Sequence, residues 1–169
     1  MPETAVADTG PILHLSEIGE TGLLSIFTRV SVSQHVRAEL ARHGILDSAL
    51  DAIGDRLQIE RVSSEEMSSQ LKSALRFRIH RADLSTLALA SRIKPDLVLT
   101  DDLDLRKALE SQGYQVVGSI GVLLRALRDR RFKKTDLLMR LDQLLDGSTL
   151  YTSKAFRMAV REMVEKLPE

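Results

Sequence analysis

Asp8, Glu39, Asp83 and the group Asp101, Asp102 and Asp104 are the side chains of this 169-residue chain whose type and spacing best suit chemistry. Three of these four locations fall at the ends of expected strands or helices, and a parallel sheet can bring such ends together. Carboxylates gathered at one place repel one another, so they either hold their protons to higher pH or bind a cation. Ligation by oxygen alone favours magnesium or manganese. Such a cluster suits phosphodiester cleavage, because a cation activates water and neutralises charge developing on phosphate.

Each carboxylate also has an ordinary structural task open to it. Asp8 follows the apolar run Ala5-Val6-Ala7 and precedes Gly10-Pro11, so either it or Thr9 can cap the next helix. Glu39 can pair with Arg42 or His43, Asp83 can complement a helix dipole, and Asp101 with Asp102 can form a solvated turn. His14, His35 and His80 lack a second histidine at ligand spacing, which points to surface or packing roles.

The elements that must position these residues alternate between strand and helix. Ala5–Ala7 suits a buried parallel strand, and Ile12, Leu13, Leu15 and Ile18 form one helical face. A second short segment runs through Leu23, Leu24, Ile26 and Phe27. Residues 29–33 read as a strand, Ser33 as the cap of a helix carrying Val36, Glu39 and Leu40, residues 45–54 as a helix and 57–62 as a strand. Ser63-Ser64-Glu65-Glu66 opens a further helix. His80-Arg81-Ala82-Asp83 opens one that is apolar on most sides, hence buried, and Pro95 ends it. Residues 96–100 form a strand running into the Asp101–Asp104 cluster. A helix over 105–112, a strand over 114–117 and a helix over 122–128 complete a βαβ pattern with a parallel sheet. Gly118-Ser119-Ile120-Gly121 lacks phosphate-loop spacing and reads as a strand-to-helix turn. The leucines and apolar residues of 133–169 predict two amphipathic helices separated by Gly147-Ser148-Thr149. The expected organisation is thus a domain over 1–131 and a C-terminal helical hairpin over 132–169, packed on that domain or extending it.

Composition narrows the setting. Lys plus Arg and Asp plus Glu stand at 24 each, so any nucleic-acid site must come from local asymmetry. The absence of cysteine removes disulfides and thiolate chemistry and fits a reducing, cytoplasmic interior. No apolar stretch approaches the roughly 20 residues of a membrane helix, and no signal-peptide pattern opens the chain.

The ordered series Val6-Ala7-Asp8-Thr9, Val36-Arg37-Ala38-Glu39, Arg81-Ala82-Asp83 and Leu99-Thr100-Asp101-Asp102 resembles the PIN domain, the fold of many prokaryotic ribonuclease toxins. The run Gly113 to Leu124 is similar to a prokaryotic PIN-related subgroup of predicted nucleic-acid-binding proteins. The resemblance extends over about the first 130 residues, a span suited to one domain. It implies a three-layer α/β/α, Rossmann-like sandwich and cleavage of single-stranded RNA dependent on Mg2+ or Mn2+. By position it makes Asp8, Glu39, Asp83 and Asp102 the catalytic, metal-binding set. Asp101 is an alternative to Asp102, Asp104 a weaker or more distant ligand, and Thr9 and Thr100 are supporting hydrogen-bond donors. The expected products carry 5′-phosphate and 3′-hydroxyl ends. A VapC-type toxin would add a small antitoxin protein and a second copy of the chain as partners, with no membrane involved. The long C-terminal hairpin leaves an RNA-processing role open.

Two basic stretches bear on RNA. Arg76, Arg78 and Arg81 precede Asp83 and flank Phe77; Arg130 and Arg131 precede Phe132. Cations interleaved with an aromatic suit phosphate contact and base stacking, while a solvated, charged helix end is the plain alternative. Other acidic-site classes fit less well. A phosphotransfer receiver needs an acidic pair at the first strand, and a haloacid-dehalogenase phosphatase needs Asp-x-Asp there, whereas Asp8 is followed by Thr9-Gly10. A PIN fold that binds nucleic acid or protein without turnover is the stronger alternative.

Overall fold

The structure, a computed structural model, describes residues 3–167. Five strands form one parallel sheet in the order β3-β2-β1-β4-β5. They are β1 (Thr4–Ala7), β2 (Arg29–Ser33), β3 (Leu57–Glu60), β4 (Leu97–Leu99) and β5 (Val116–Val117). The chain steps outward from β1 to β2 and β3, then returns to add β4 on the other side of β1. The sheet's switch point therefore lies between β1 and β4, paired in the register Ala7↔Leu99. Crevices at such points, beyond the carboxyl ends of the strands, are where open α/β sheets bind ligands.

Helices cover both faces, as a sheet with two apolar sides requires. Along β1 the pleat sends Ala5 and Ala7 into one core and Val6 into the other. The first core takes α1 (Thr9–Glu17), a 3-10 helix over Thr21–Ile26, α2 (Gln34–Arg42), α3 (Leu46–Ile53) and α8 (Ser119–Arg128). The second takes α4 (Ser64–Ser69), α5 (Leu71–Phe77), α6 (Arg81–Ile93) and α7 (Leu103–Ser111). In α6, Leu84, Leu87, Ala88, Leu89 and Ala90 are all buried, as its nearly all-round apolar pattern requires. Lys94 closes that helix in the left-handed region, with φ 51°, and Pro95 follows.

The C-terminal helices are α9 (Lys134–Gly147) and α10 (Lys154–Glu165). Leu137, Leu141, Leu144 and Leu145 of α9 and Val160 and Val164 of α10 join the same core as β1, β2 and β4. Gly147 belongs to α9, so residues 148–153 make the connection.

Several limits differ from the sequence expectation. The segment after Ser63 is two short helices, α4 and α5, meeting at Gln70, whose φ of −96° and ψ of 1° break regular helix. Helix α8 begins at Ser119 and α7 at Leu103, each earlier than apolar spacing indicates. The Asp102 side chain caps α7, and the Asp101 carboxylate accepts from the Ser119 backbone N–H at the first residue of α8. No helix among the described residues is long and apolar enough to cross a membrane.

Candidate active site at the switch point

Asp8 leaves the end of β1 almost fully buried, at 7% exposure. It occupies the N-cap position of α1, yet its side chain makes no capping hydrogen bond. Its backbone N–H donates to the Leu99 carbonyl at 2.9 Å, and the Thr100 hydroxyl donates to its Oδ2 at 3.2 Å. Burial first, then repulsion from Asp83, pushes the Asp8 carboxyl up to about 7; Glu39 adds to this, while hydrogen bonds from the Thr9 backbone and Thr100 oppose it. An uncompensated carboxylate in such a place is costly unless positive charge is supplied.

Asp83 sits in the first turn of α6, whose N-terminus faces the same sheet edge. Burial, followed by repulsion from Asp102 and Glu39, pushes its carboxyl up to about 6 against the opposing influence of His80. These mutual repulsions put Asp8, Glu39, Asp83 and Asp102 within one electrostatic neighbourhood. Glu39 Oε2 accepts from the Thr9 hydroxyl, and Oε1 lies 3.6 Å from the mostly exposed Arg42 guanidinium. Both the expected Arg42 partner and the link to Thr9 therefore exist.

Of the three aspartates after β4, each has a different situation. Asp101 is consumed by the fold: Oδ1 accepts from the Ser119 backbone N–H at 2.8 Å, and Oδ2 from the Ser119 hydroxyl at 2.5 Å and His14 Nδ1 at 2.7 Å. Asp102 caps α7 through Oδ1, which accepts from the Leu105 N–H at 2.7 Å, and its charge acts on Asp83. Asp104 is half exposed, 3.7 Å from Lys107, and takes no part in the charge cluster. The solvated-turn alternative for Asp101 with Asp102 therefore fails at Asp101, which is held inside the fold, and holds in part at Asp102, which is exposed to solvent while it caps α7.

The family model DUF3368, described as a PIN domain, matches residues 4–166. The chain belongs to the PIN-domain family. No curated protein matches it. The match runs through both C-terminal helices, further than the stretch on which the sequence resemblance rested. PIN domains are commonly nucleases that use divalent metal ions, so the acidic switch point is where a catalytic centre is to be sought.

Among the described residues, no group of three His, Asp or Glu side chains is placed to hold a metal ion. The donor chemistry of the PIN site nonetheless fits a hard divalent cation. Its donors are carboxylate oxygens, and two of them are pushed far above their ordinary range by burial and repulsion, the condition a cation relieves.

The expected Ser33 cap and residues that sequence reasoning passed over, Ser85 among them, hold this arrangement in place. Ser33 accepts from the Val36 N–H at 3.1 Å, and its hydroxyl lies 2.7 Å from that of Ser85, which donates to the Ala82 carbonyl. This buried chain ties the start of α2, which carries Glu39, to the start of α6, which carries Asp83. Ser85, Ser119 and His14 carry no periodic signal, so only the tertiary contacts reveal them.

The basic residues divide between two edges of the PIN fold. Arg78 ends α5 three residues before α6, and Arg76 lies over the Phe77 ring at 5.1 Å from its centroid. Arg81 opens α6, and its side chain lies outside the described residues. Arg130 and Arg131 follow α8, which starts beside Asp101 and runs ten residues, about 15 Å, away from it. Arg125, near the far end, pairs with Glu3 just before β1. Arg130 and Arg131 therefore lie at the opposite edge of the sheet from Asp8. Phe132 is covered by Arg140, 4.6 Å from its centroid, and packs on the core, so it is not free to stack on a base.

Proposed function

We propose that this PIN domain hydrolyses phosphodiester bonds of single-stranded RNA at the switch point, in dependence on Mg2+ or Mn2+. The observation that carries the reading is a mutually repelling pair of carboxylates, Asp8, buried at the end of β1, and Asp83, partly buried in the first turn of α6. When bound, a divalent cation would supply charge neutralisation and activation of water. Asp8, Asp83 and Asp102 would hold it, with Glu39 completing the set. Thr100 fixes the Asp8 carboxylate and Thr9 that of Glu39, so the oxygens meet the ligand already oriented. Arg76 and Arg78, leading into α6, would meet substrate phosphates. Hydrolysis adds water's oxygen to phosphorus, breaks the bond to the 3′ oxygen and delivers a proton there, leaving 5′-phosphate and 3′-hydroxyl ends.

The test is cleavage of a labelled single-stranded RNA with manganese or magnesium by the wild type and by Asp8→Asn. Cleavage lost in the variant with RNA binding kept supports the reading. A wild type that binds RNA but never cuts it overturns it in favour of a non-catalytic module. A toxin role, with a small antitoxin protein and a second copy as partners, is part of the same proposal; co-expression with the neighbouring reading frame and relief of growth arrest test it.

A further inference from the structure

Next to the carboxylate cluster a groove of about 740 Å3 opens between β5, the start of α7 and α10. Its size falls within the roughly 300–1,000 Å3 typical of small-ligand sites. It is lined at one end by Asp101 and Leu103, the neighbours in sequence of Asp102, and Asp101 follows Thr100, which holds Asp8. Leu103, Ile120, Tyr151, Phe156 and Met163 give it apolar walls.

We propose that this groove is a base subsite, in which an unpaired nucleobase of single-stranded RNA stacks on Tyr151 and Phe156 while its backbone passes toward Asp102. The inference rests on the RNA reading above and adds where a base is recognised. Three observations select a flat, uncharged occupant. The two charged groups lining the groove are both satisfied inside the protein: Asp101 by His14 and Ser119, and Arg106 by the Val116 carbonyl at 3.0 Å, the Thr100 carbonyl at 3.3 Å and Glu110 at 3.5 Å. A charged ligand would find no counter-charge there.

The chain has six aromatic residues, four Phe and two Tyr, and their placement is uneven. Phe27 is in the core, Phe77 and Phe132 are covered by arginines, and the Tyr114 hydroxyl donates to the Ala90 carbonyl. Tyr151, by contrast, is 92% exposed, and Phe156 is 47% exposed beside it. Such rings contribute little to folding and present π-faces on which bases stack.

Two hydroxyls supply the polar edge that base recognition needs. Thr152 Oγ1 accepts from Arg157 Nε at 2.8 Å and Ser153 Oγ from the Phe156 N–H at 3.2 Å. Each hydroxyl proton is thereby left to donate to a ring nitrogen or carbonyl of a base.

The probe is fluorescein-labelled pentaadenylate RNA with EDTA present, so that binding is read without cleavage. Its anisotropy should show affinity falling about tenfold in Tyr151→Ala and recovering in Tyr151→Phe, as stacking requires. A ribose-phosphate pentamer lacking bases should bind the wild type about tenfold more weakly than pentaadenylate, and the full RNA should quench tyrosine fluorescence. Unchanged affinity in Tyr151→Ala, or equal binding of the baseless pentamer, overturns the subsite. So does a wild-type dimer that Tyr151→Ala with Phe156→Ala converts to monomer without loss of RNA affinity, since the groove is then an interface between copies. Tyr151-dependent binding by a wild type that fails to cut RNA with manganese leaves the subsite standing and removes the nuclease reading; cutting with Tyr151-independent binding does the reverse.

Discussion

The Thr100 hydroxyl donates to Asp8 Oδ2 at 3.2 Å across the switch point of the sheet, joining the end of β4 to the end of β1. One hydrogen bond does not offset the burial of Asp8, whose carboxyl still stands near 7.

In the unfolded chain Asp8 loses its proton near 3.8, and in the fold near 7. The folded state therefore holds a proton that the unfolded state has released between those values. The stability linked to Asp8 is complete below about pH 4 and is lost as pH rises to about 7, after which the penalty is constant. Asp8→Asn, which carries no charge, should be more stable than wild type at pH 7.5, by up to about 4 kcal/mol, and the gain should vanish near pH 4. Thermal denaturation across that pH range checks it. Manganese should raise the wild-type melting temperature at pH 7.5 and leave that of Asp8→Asn unmoved.

The three neighbouring aspartates should separate cleanly under mutation to Asn. Asp101→Asn weakens charge-assisted bonds to His14 and Ser119 and should cost about 2–3 kcal/mol in urea unfolding. Asp102→Asn keeps a side-chain oxygen for the Leu105 N–H, and Asn caps helices as well as Asp does, so stability should hold within about 0.5 kcal/mol while RNA cleavage is lost. Asp104→Asn should change neither property.

Gly118 approaches the same latch from β5. A Cβ there would stand 2.5 Å from Asp101 Oδ1, and that carboxylate is pinned by three donors. The backbone is ordinary, with φ −97°, so crowding alone is at issue. Gly118→Ala should destabilise by about 1–3 kcal/mol in the same unfolding measurement. Gly118→Ala combined with Asp101→Gly should restore much of the loss relative to Asp101→Gly alone, because the atom it strikes is gone.

The sheet was legible because β1, β4 and β5 are short apolar runs and β2 and β3 alternate apolar with polar residues, and the parallel arrangement follows from the helices between them. The acids Asp8, Asp83 and Asp102 stood out because each stands at an element end, whereas Glu39 lies within α2. Which of Asp101, Asp102 and Asp104 faces the cluster was not legible, because three similar carboxylates differ only in partners 18 and 87 residues away, Ser119 and His14. The same holds for Arg130 and Arg131: their composition matches that of Arg76 and Arg78, and only the direction of α8 puts them on the far edge. The groove beside Tyr151 arises from residues of four elements and leaves no periodic trace.

Arg78 and Arg130 give a final comparison, since both hold left-handed backbone, with φ 57° and 55°. A residue with a Cβ pays roughly 1–2 kcal/mol for that conformation, which glycine does not. Arg78→Gly and Arg130→Gly should therefore each leave stability unchanged or raise it by up to about 1 kcal/mol. Their effects on RNA should differ. Arg78 precedes α6 at the carboxylate edge, so its loss should weaken binding of single-stranded RNA and lower the salt dependence by about one phosphate contact. Arg130 lies across the sheet, and its loss should leave the binding of a short oligonucleotide unaltered. Equal weakening by both, measured by anisotropy at several salt concentrations, would show that RNA wraps past the far edge of the fold rather than entering only beside Asp83.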